Sequence, residues 1–316
     1  MKDPDTRAPR VGVVFPQTEL GGDTGAIRTW AQEAERAGFG HVVIQDHVVG
    51  ADPVAHVPWT GAFDNRTTVR EPFVVLGYLV GLTSLELATA VIILPQRQTA
   101  LVAKQAAEVD LLAGGRFRLG VGVGWNQVEY QALGKDFSNR GRRSEEQIAL
   151  LRRLWTGQSV TFHGRYEQVA GVGISPLPHQ RAIPVWIGGH SAPAYERTGR
   201  LADGWFPLMP PGPELDQARA VIEAAALRAG RAPAGIGMEG QVRYAGDPDA
   251  VAAAVQDWRA AGASHVQVAT TGIGLSVDDH LAALAQIAGS LALTSRRLRA
   301  SPGPHPGMTT GPEPRR

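Results

Sequence analysis

Cysteine is absent from this 316-residue chain, which excludes disulfide bonds, thiolate metal ligands and cysteine nucleophiles. A charge excess is also absent: the formal net charge is +1, so electrostatics favour neither nucleic acid nor an anionic membrane surface as a partner. No apolar run approaches the roughly 18 residues that span a bilayer, and the first segment, MKDPDTRAPR, has no apolar signal core. We therefore expect a cytoplasmic protein that binds neither nucleic acid nor membranes.

Short β-branched segments alternate with segments of helical periodicity along most of the chain. Eight strands are predicted, at Val11–Phe15, His41–Gln45, Leu85–Leu94, Phe117–Val123, Pro184–Gly188, Gly204–Leu208, Ile236–Tyr244 and His265–Thr270. Strands that alternate with helices pair in parallel through right-handed crossovers. Eight such units predict an α/β fold of the (β/α)8 TIM-barrel class.

In the fourth helix, Ser144 and Gln147 of SEEQIALLRRLW have the spacing of a capping box.

Two segments depart from this alternation. Residues 157–181 are too long for a plain loop and alternate in VTFHGRYEQV, which predicts a hairpin-bearing insertion between the fourth helix and the fifth strand. Residues 295–316 are rich in proline, glycine and arginine, which predicts a disordered tail. We expect one barrel over residues 1–294, including the insertion, followed by that tail.

The segment LGVGVGWN has glycine at alternate positions, 120, 122 and 124. This spacing differs from the G-x-G-x-x-G of a dinucleotide-binding turn and is typical of a strand, on which the three glycines share one face. A face without side chains lets a flat group lie against the backbone. We therefore predict an open floor at the end of the fourth strand.

Catalytic residues of a TIM barrel lie at the C-terminal ends of its strands. Asp46 and His47 follow the second strand, and His47 is of interest because imidazole exchanges protons near neutral pH. Trp125 is a substrate platform or a wall of core packing, and Asn126 is a cofactor contact or a helix cap. No carboxylate and histidine cluster has metal-ligand spacing, which disfavours a metal-dependent hydrolase.

The segment GGHSAPAY follows the fifth strand and suits phosphate binding. Gly188 and Gly189 allow close backbone approach, and Ser191 suits the cap of a helix whose positive end faces an anion; the alternative is an ordinary turn between strand and helix. Three arginines of SNRGRRSEE are ligands for the same anion or simply an exposed basic helix start. They are Arg140, Arg142 and Arg143.

Three segments, IQDHVV, ATAVIILPQRQTALVAKQAAEVDLLAGGRFRLGVGVGWNQVEYQALGKDFSNRGRR and IPVWIGGHSAPAYERTGRLADGWFP, together carry a family resemblance. In order and spacing the chain resembles the luciferase-like monooxygenase superfamily over residues 10–292, and within it the actinobacterial branch that uses the deazaflavin coenzyme F420. The resemblance implies a TIM barrel that holds F420, or alternatively FMN, at its C-terminal mouth.

The resemblance also implies roles for individual residues. His47 is the catalytic residue beside the reactive face of the ring, and Asp46 orients its imidazole or binds the cofactor. A non-prolyl cis peptide against the central ring falls at Ala90–Val91. The cofactor-binding residues implied in this way are Asp46, Ala90, Val91, Gly122, Gly124, Trp125, Asn126, Gly188, Gly189, His190 and Ser191.

The substrate expectation comes from departures from the F420-dependent sugar-phosphate dehydrogenases. Their Trp after the Asp-His pair is Ala51 here, and the rim after the sixth and seventh strands has no lysine, which disfavours a sugar phosphate. The loop Val49–Arg70, with His56, Trp59 and Phe63, predicts a lid over a small apolar or aromatic substrate.

These observations predict an F420-dependent oxidoreductase that transfers a hydride between F420 and a small organic substrate. Two alternatives remain open: an FMN-dependent monooxygenase supplied by a separate flavin reductase, and a non-catalytic barrel that binds a flavin or deazaflavin. The resemblance also implies that the protein forms a homodimer.

Overall fold

The computed structural model describes residues 9–295, and its helices and strands follow the predicted alternation. In chain order they are β1 (Arg10–Val14), α1 (Thr24–Arg36), β2 (His41–Ile44), α2 (Pro72–Val80), β3 (Glu86–Thr89), β4 (Ile92–Ile93), α3 (Thr99–Leu112), β5 (Phe117–Gly122), α4 (Gln127–Ala132), α5 (Arg140–Thr156), β6 (Val160–His163), β7 (Gln168–Val172), β8 (Val185–Gly188), α6 (Ala192–Leu201), β9 (Gly204–Phe206), α7 (Pro213–Arg228), β10 (Gly237–Arg243), α8 (Pro248–Ala260), β11 (His265–Ala269) and α9 (Val277–Ser290).

Parallel strands close into one barrel. The order is β3-β2-β1-β11-β10-β9-β8-β5-β4, and β3 also pairs with β5, which completes the circle. The predicted third strand, Leu85–Leu94, is two strands, β3 and β4, that share one of the eight barrel positions. Between them the peptide bond joining Ala90 and Val91 is cis, as the resemblance implied. The TIM-barrel prediction is confirmed.

The strands are buried on both faces because side chains fill the barrel and the helices cover it. In β2, for example, Val42, Val43 and Ile44 are completely buried. Such continuous apolar runs are typical of parallel strands between two packed layers. Helix α1 buries one face, with Ile27 and Trp30 against the barrel.

Charged residues fill the N-terminal end of the barrel. Arg118 Nη1 donates to Glu239 Oε2 at 2.8 Å, its Nε donates to Glu86, and its guanidinium lies 4.4 Å from the Trp186 ring. Nε2 of His41 lies 2.7 Å from the other Glu239 oxygen. Burial alone would raise the pKa of Glu239, but its contacts with Arg118 above all, and with His41, lower it to about 2. The cluster is far from the strand ends that carry chemistry, so we assign it to stability.

The predicted insertion is an antiparallel hairpin of β6 and β7 between α5 and β8. Glu146 of α5 holds its turn by accepting the backbone N–H groups of Arg165, Tyr166 and Glu167. The predicted disordered tail lies outside the described residues from position 296 onward. Among residues 9–295, no helix is long and apolar enough to cross a membrane.

The capping-box prediction for the fourth helix is wrong. Helix α5 begins at Arg140, directly after a short turn that Asp136 caps, so Ser144 lies one turn inside the helix. The Ser144 hydroxyl donates to Gly141 O at 2.7 Å. The Gln147 amide instead donates to the backbone carbonyl oxygens of Leu94 and Arg97, which braces the segment after β4.

Candidate active site

The C-terminal ends of the strands meet at one mouth of the barrel, and the predicted site residues lie around it. His47 follows β2, Val91 precedes β4, Asn126 follows β5 and Ser191 follows β8. Among residues 9–295, no group of three or more histidine, aspartate or glutamate side chains is arranged to hold a metal ion.

His47 contacts a carboxylate that the sequence interpretation missed. Its Nδ1 lies 3.1 Å from Oε2 of Glu129, a residue that is 1% exposed in the first turn of α4. The other Glu129 oxygen accepts the backbone N–H of Val48 at 2.5 Å and that of Val49 at 3.3 Å. Burial alone would raise the pKa of Glu129, but the hydrogen bonds from His47 and Val48 lower it below its ordinary value.

Asp46 does not orient the imidazole, so that prediction is wrong. Its carboxylate accepts from Nη2 of Arg97 at 2.8 Å and from the Ile93 N–H at 3.2 Å. The two neighbouring side chains have different partners: Asp46 binds Arg97 and the Ile93 N–H, whereas the carboxylate beside His47 belongs to Glu129. Burial is the main cause that raises the pKa of Asp46, and Arg97 opposes it. The assignment of Asp46 to cofactor binding stays a prediction.

Arg97 joins the two ends of the loop between β2 and α2. Its Nε and Nη2 donate to Asp46 near the start of the loop, and its Nη1 donates to Glu71 Oε1 at 2.9 Å at the end of the loop. Gln17 adds a second tie, because its amide donates to Gln45 O and accepts the Arg70 N–H. The loop is thus closed at its base, and its tip is free to contact the mouth.

The tip of this loop brings aromatic rings to His47. The Phe63 ring lies 4.5 Å from the imidazole between ring centres, and the Trp125 ring lies 5.8 Å away on the side of β5. Trp59 contacts Trp125 at 5.9 Å between ring centres. Trp125 is 47% exposed, so it is a rim residue and not a wall of core packing. Its contact with a substrate stays a prediction.

The open floor predicted from the alternate glycines is wrong. A Cβ on Gly120 would lie 1.8 Å from the Thr89 carbonyl oxygen, and one on Gly122 would lie 2.6 Å from Cγ2 of Val91. Gly124 has a φ of +68° and follows the strand. Glycine is needed here because the residues around the β3–β4 break occupy the space that side chains would fill. The sequence shows which side chains are missing but not what replaces them.

Val91 is consequently at the centre of this part of the mouth. Its side chain lies between Gly122 of β5 and Gly188 of β8, where added Cβ atoms would come within 2.6 and 3.0 Å of it. Ala90 and Val91 are both partly exposed. Their contact with a cofactor, and that of Gly122 and Gly124, stays a prediction.

Asn126 is a helix cap, and it also has an unused donor. Its Oδ1 accepts the Glu129 N–H at 3.3 Å at the start of α4. The side chain is buried, and its Nδ2 has no hydrogen-bond partner among the described residues. A buried donor without an acceptor is costly in a folded protein. The unused N–H group therefore fits a ligand that brings an acceptor, which keeps cofactor contact as a prediction.

The segment after β8 leaves the start of α6 open to solvent. Gly188 ends the strand, and His190 and Ser191 are exposed. Ser191 lies at the N-cap position of α6, as predicted, but its side chain makes no capping hydrogen bond. An open helix start with an unused hydroxyl fits an anionic group.

Two of the three arginines near α5 are held by the protein itself. Arg143 donates to Pro95 O at 2.6 Å and to Glu167 Oε1 at 3.1 Å. Arg140 lies over the Phe137 ring at 3.6 Å. Arg142 is exposed, in agreement with a basic helix start.

Glu129 is the main site residue that the sequence interpretation did not identify. Its signal was present in NQVEYQAL: a carboxylate three residues after a capping asparagine, on a helix that leaves the mouth directly after a strand.

Comparisons with known proteins find similar sequences and a similar fold. The chain is 29% identical over 264 residues to the F420-dependent hydroxymycolic acid dehydrogenase of Mycobacterium tuberculosis, covering 81% of this chain and 68% of that protein. It is 32% identical over 183 residues to the FMNH2-dependent dimethylsulfone monooxygenase of Pseudomonas putida, covering 57% of this chain and 47% of that protein. The structure of EDTA monooxygenase from a Chelativorans species has the same fold, with a TM-score of 0.75, 15% identity and coverage of 90% of this chain and 94% of that one.

The family model described as luciferase-like monooxygenase matches residues 10–298 of the sequence. The match spans the whole barrel, including the mouth that holds His47 and Glu129. The chain therefore belongs to the luciferase-like monooxygenase family.

Proposed function

We propose that this protein is an F420-dependent oxidoreductase that transfers a hydride between the deazaflavin and a small apolar or aromatic substrate. The observation that carries the proposal is the contact between His47 and the buried Glu129 at the barrel mouth, under aromatic side chains. A histidine held in this way is equipped for proton transfer. The similarity to an F420-dependent dehydrogenase over 81% of the chain supports the choice of cofactor.

The residues at the mouth fit a flavin or deazaflavin. Such a cofactor carries ring-edge acceptors and a phosphate on its side chain. Asn126 has an unused buried N–H donor for the ring edge, and Ser191 at the open start of α6 suits the phosphate. Val91 would contact the ring face. When bound, F420 supplies the carbon atom that accepts or gives up the hydride.

His47 would accept or donate the proton that accompanies hydride transfer. In the direction of alcohol oxidation, the substrate hydroxyl gives its proton to the imidazole; in the direction of carbonyl reduction, the imidazolium returns it. Glu129 would hold the imidazole in position for this transfer, because its carboxylate lies 3.1 Å from the ring nitrogen.

The lid would determine which substrates bind and would exclude water from the mouth. Phe63, Trp59 and Trp125 present ring faces and edges near the imidazole. Several apolar side chains around the same mouth are exposed: Val48, Val49, Val54, Val57, Leu208 and Ile273. An apolar rim of this kind favours an apolar or aromatic substrate over a sugar phosphate.

An FMN-dependent monooxygenase is the second candidate. The similarity to an FMNH2-dependent enzyme, at 32% identity over 183 residues, favours it. The features that suit F420 at the mouth also suit FMN, because both cofactors have a tricyclic ring and a phosphate. In this case the protein needs reduced flavin from a separate reductase.

A turnover screen tests the proposal. Purified protein is mixed with reduced F420 and, one at a time, aromatic and aliphatic ketones, aldehydes and enones, and with oxidised F420 and the matching alcohols; the absorbance of F420 is followed. We expect turnover with at least one apolar member of the panel and its loss in His47→Ala. Oxygen-dependent conversion with reduced FMN, and none with F420, would favour the second candidate; binding of a cofactor without any turnover would favour a non-catalytic barrel.

A further inference from the structure

Glu129 holds three consecutive residues at the end of β2. Oε2 lies beside Nδ1 of His47, and Oε1 accepts the backbone N–H groups of Val48 and Val49. Glu129 itself is fixed, because it lies in the first turn of α4, where Asn126 caps the helix by accepting the Glu129 N–H. The carboxylate therefore connects the end of β5 to the end of β2 and to the start of the lid.

The surroundings of Glu129 keep its carboxylate ionised. Two backbone N–H groups can only donate, and both point to Oε1. The first turn of α4 places the positive end of the helix at the carboxylate. Asp46 is a nearby like charge, but its carboxylate is paired with Arg97.

An ionised carboxylate can only accept hydrogen bonds. The proton between Glu129 and His47 therefore belongs to Nδ1 of the imidazole. In a neutral imidazole one nitrogen carries the proton and the other carries a lone pair. Nε2 of His47 has no partner among the described residues, and its ring neighbours, Phe63 and Trp125, offer it no acceptor.

We infer that Glu129 is a positioning residue that holds the neutral His47 as its Nδ1–H tautomer, so that Nε2 is the atom that takes up a proton at the mouth. The inference rests on the proposed function only for the identity of the group that gives the proton. The tautomer itself is a property of the protein without any cofactor.

The test is nitrogen NMR on protein labelled with 15N-histidine, at a pH where His47 is neutral. His47→Ala assigns the signals by their loss. We expect a protonated Nδ1 and an unprotonated Nε2 in the wild type. A wild type in which Nε2 carries the proton would overturn the inference, whatever the variants do.

Glu129→Gln provides the second arm. The glutamine oxygen still accepts the N–H groups of Val48 and Val49, but its NH2 donates to Nδ1, so the imidazole must become the Nε2–H tautomer. Glu146→Gln is the matched control, because Glu146 also accepts backbone N–H groups, at the hairpin turn, but has no histidine partner. A tautomer that stays unchanged in Glu129→Gln, or changes equally in Glu146→Gln, would contradict the assignment.

The two proposals fail differently. If the tautomer is as expected but no F420 or FMN chemistry is found, the proposed function is wrong and the positioning role stands. If F420 turnover is found but the tautomer is reversed, the positioning role is wrong and the proposed function stands.

Discussion

Gly61 packs against Trp125 so closely that a Cβ on Gly61 would lie 2.5 Å from Cη2 of the indole. The same Cβ would lie 2.4 Å from the Trp59 ring, so the backbone of Gly61 is held between two indoles. One of these indoles belongs to the lid and the other follows β5. The contact fixes the lid across the mouth, above His47.

The first prediction concerns this contact. Gly61→Ala overpacks it at a cost of about 1–3 kcal/mol, so the lid should open more often and its amide hydrogens should exchange roughly tenfold faster. Hydrogen exchange of peptides within residues 49–70 measures this. Gly77→Ala is the control, because a Cβ there meets no atom within 4 Å. Equal lid exchange in both variants would show that Gly61 does not hold the lid.

The second prediction concerns His47. If it transfers the proton, His47→Ala should lower kcat by about 10²- to 10⁴-fold, whereas the dissociation constant for F420 should change little. Steady-state kinetics and a binding titration measure the two effects separately. His163→Ala, an exposed histidine on the hairpin, is the control. A loss of binding that accounts for the whole loss of activity would make His47 a cofactor ligand only.

The third prediction concerns Glu129 in turnover. In the direction of alcohol oxidation, Glu129→Gln should lower kcat by about 10²-fold or more with little change in KM, because the reversed tautomer has no lone pair at Nε2 to accept the proton. Glu129→Asp, which keeps the charge, should recover part of kcat. A Glu129→Gln enzyme with wild-type kcat at every pH would contradict a role for the carboxylate.

The fourth prediction concerns Asp46, which is buried against Arg97. Asp46→Ala leaves the Arg97 guanidinium largely buried without its main partner, so the free energy of unfolding should fall by about 3 kcal/mol. Urea denaturation measures this. Glu196→Ala removes an exposed ion pair with Arg228 and should change stability by less than about 1 kcal/mol. Similar decreases in the free energy of unfolding in the two variants would contradict the structural role assigned to Asp46.

The fifth prediction concerns acid stability. The pKa of Glu239 is lowered from 4.5 to about 2 in the folded protein, so the folded state binds the proton less readily than the unfolded chain does. This contribution to stability is therefore present above about pH 5 and is lost as the pH falls towards 2. Urea denaturation across this range should show a weaker pH dependence in Glu239→Gln, which should also be less stable at neutral pH. An unchanged pH dependence would exclude Glu239 as a cause.

The sequence predicted the parts of this protein that depend on local pattern. Strand and helix periodicity placed His47 at the end of β2 and Asn126 at the end of β5, and the barrel rule brought both to one mouth. The contact of His47 with Glu129 was not predicted, because the two residues are 82 positions apart and meet only when the barrel closes.

Two wrong predictions have related physical causes. The glycines of β5 were taken for an open floor because a sequence does not show that Thr89 and Val91 fill the space beside them. Orienting the imidazole was one of the two roles that the resemblance implied for Asp46, and the structure does not support it because Asp46 binds Arg97. The carboxylate beside the imidazole comes from Glu129, in the first turn of α4.

The most direct measurement is an equilibrium titration of cofactor-free protein with F420 and, separately, with FMN, followed by fluorescence. An Asn126→Ala variant is included, because Asn126 has the unused buried donor at the mouth. We expect F420 to bind much more tightly than FMN and Asn126→Ala to weaken that binding by about tenfold. Tight binding of FMN and weak binding of F420 would contradict the hydride-transfer function proposed for this barrel.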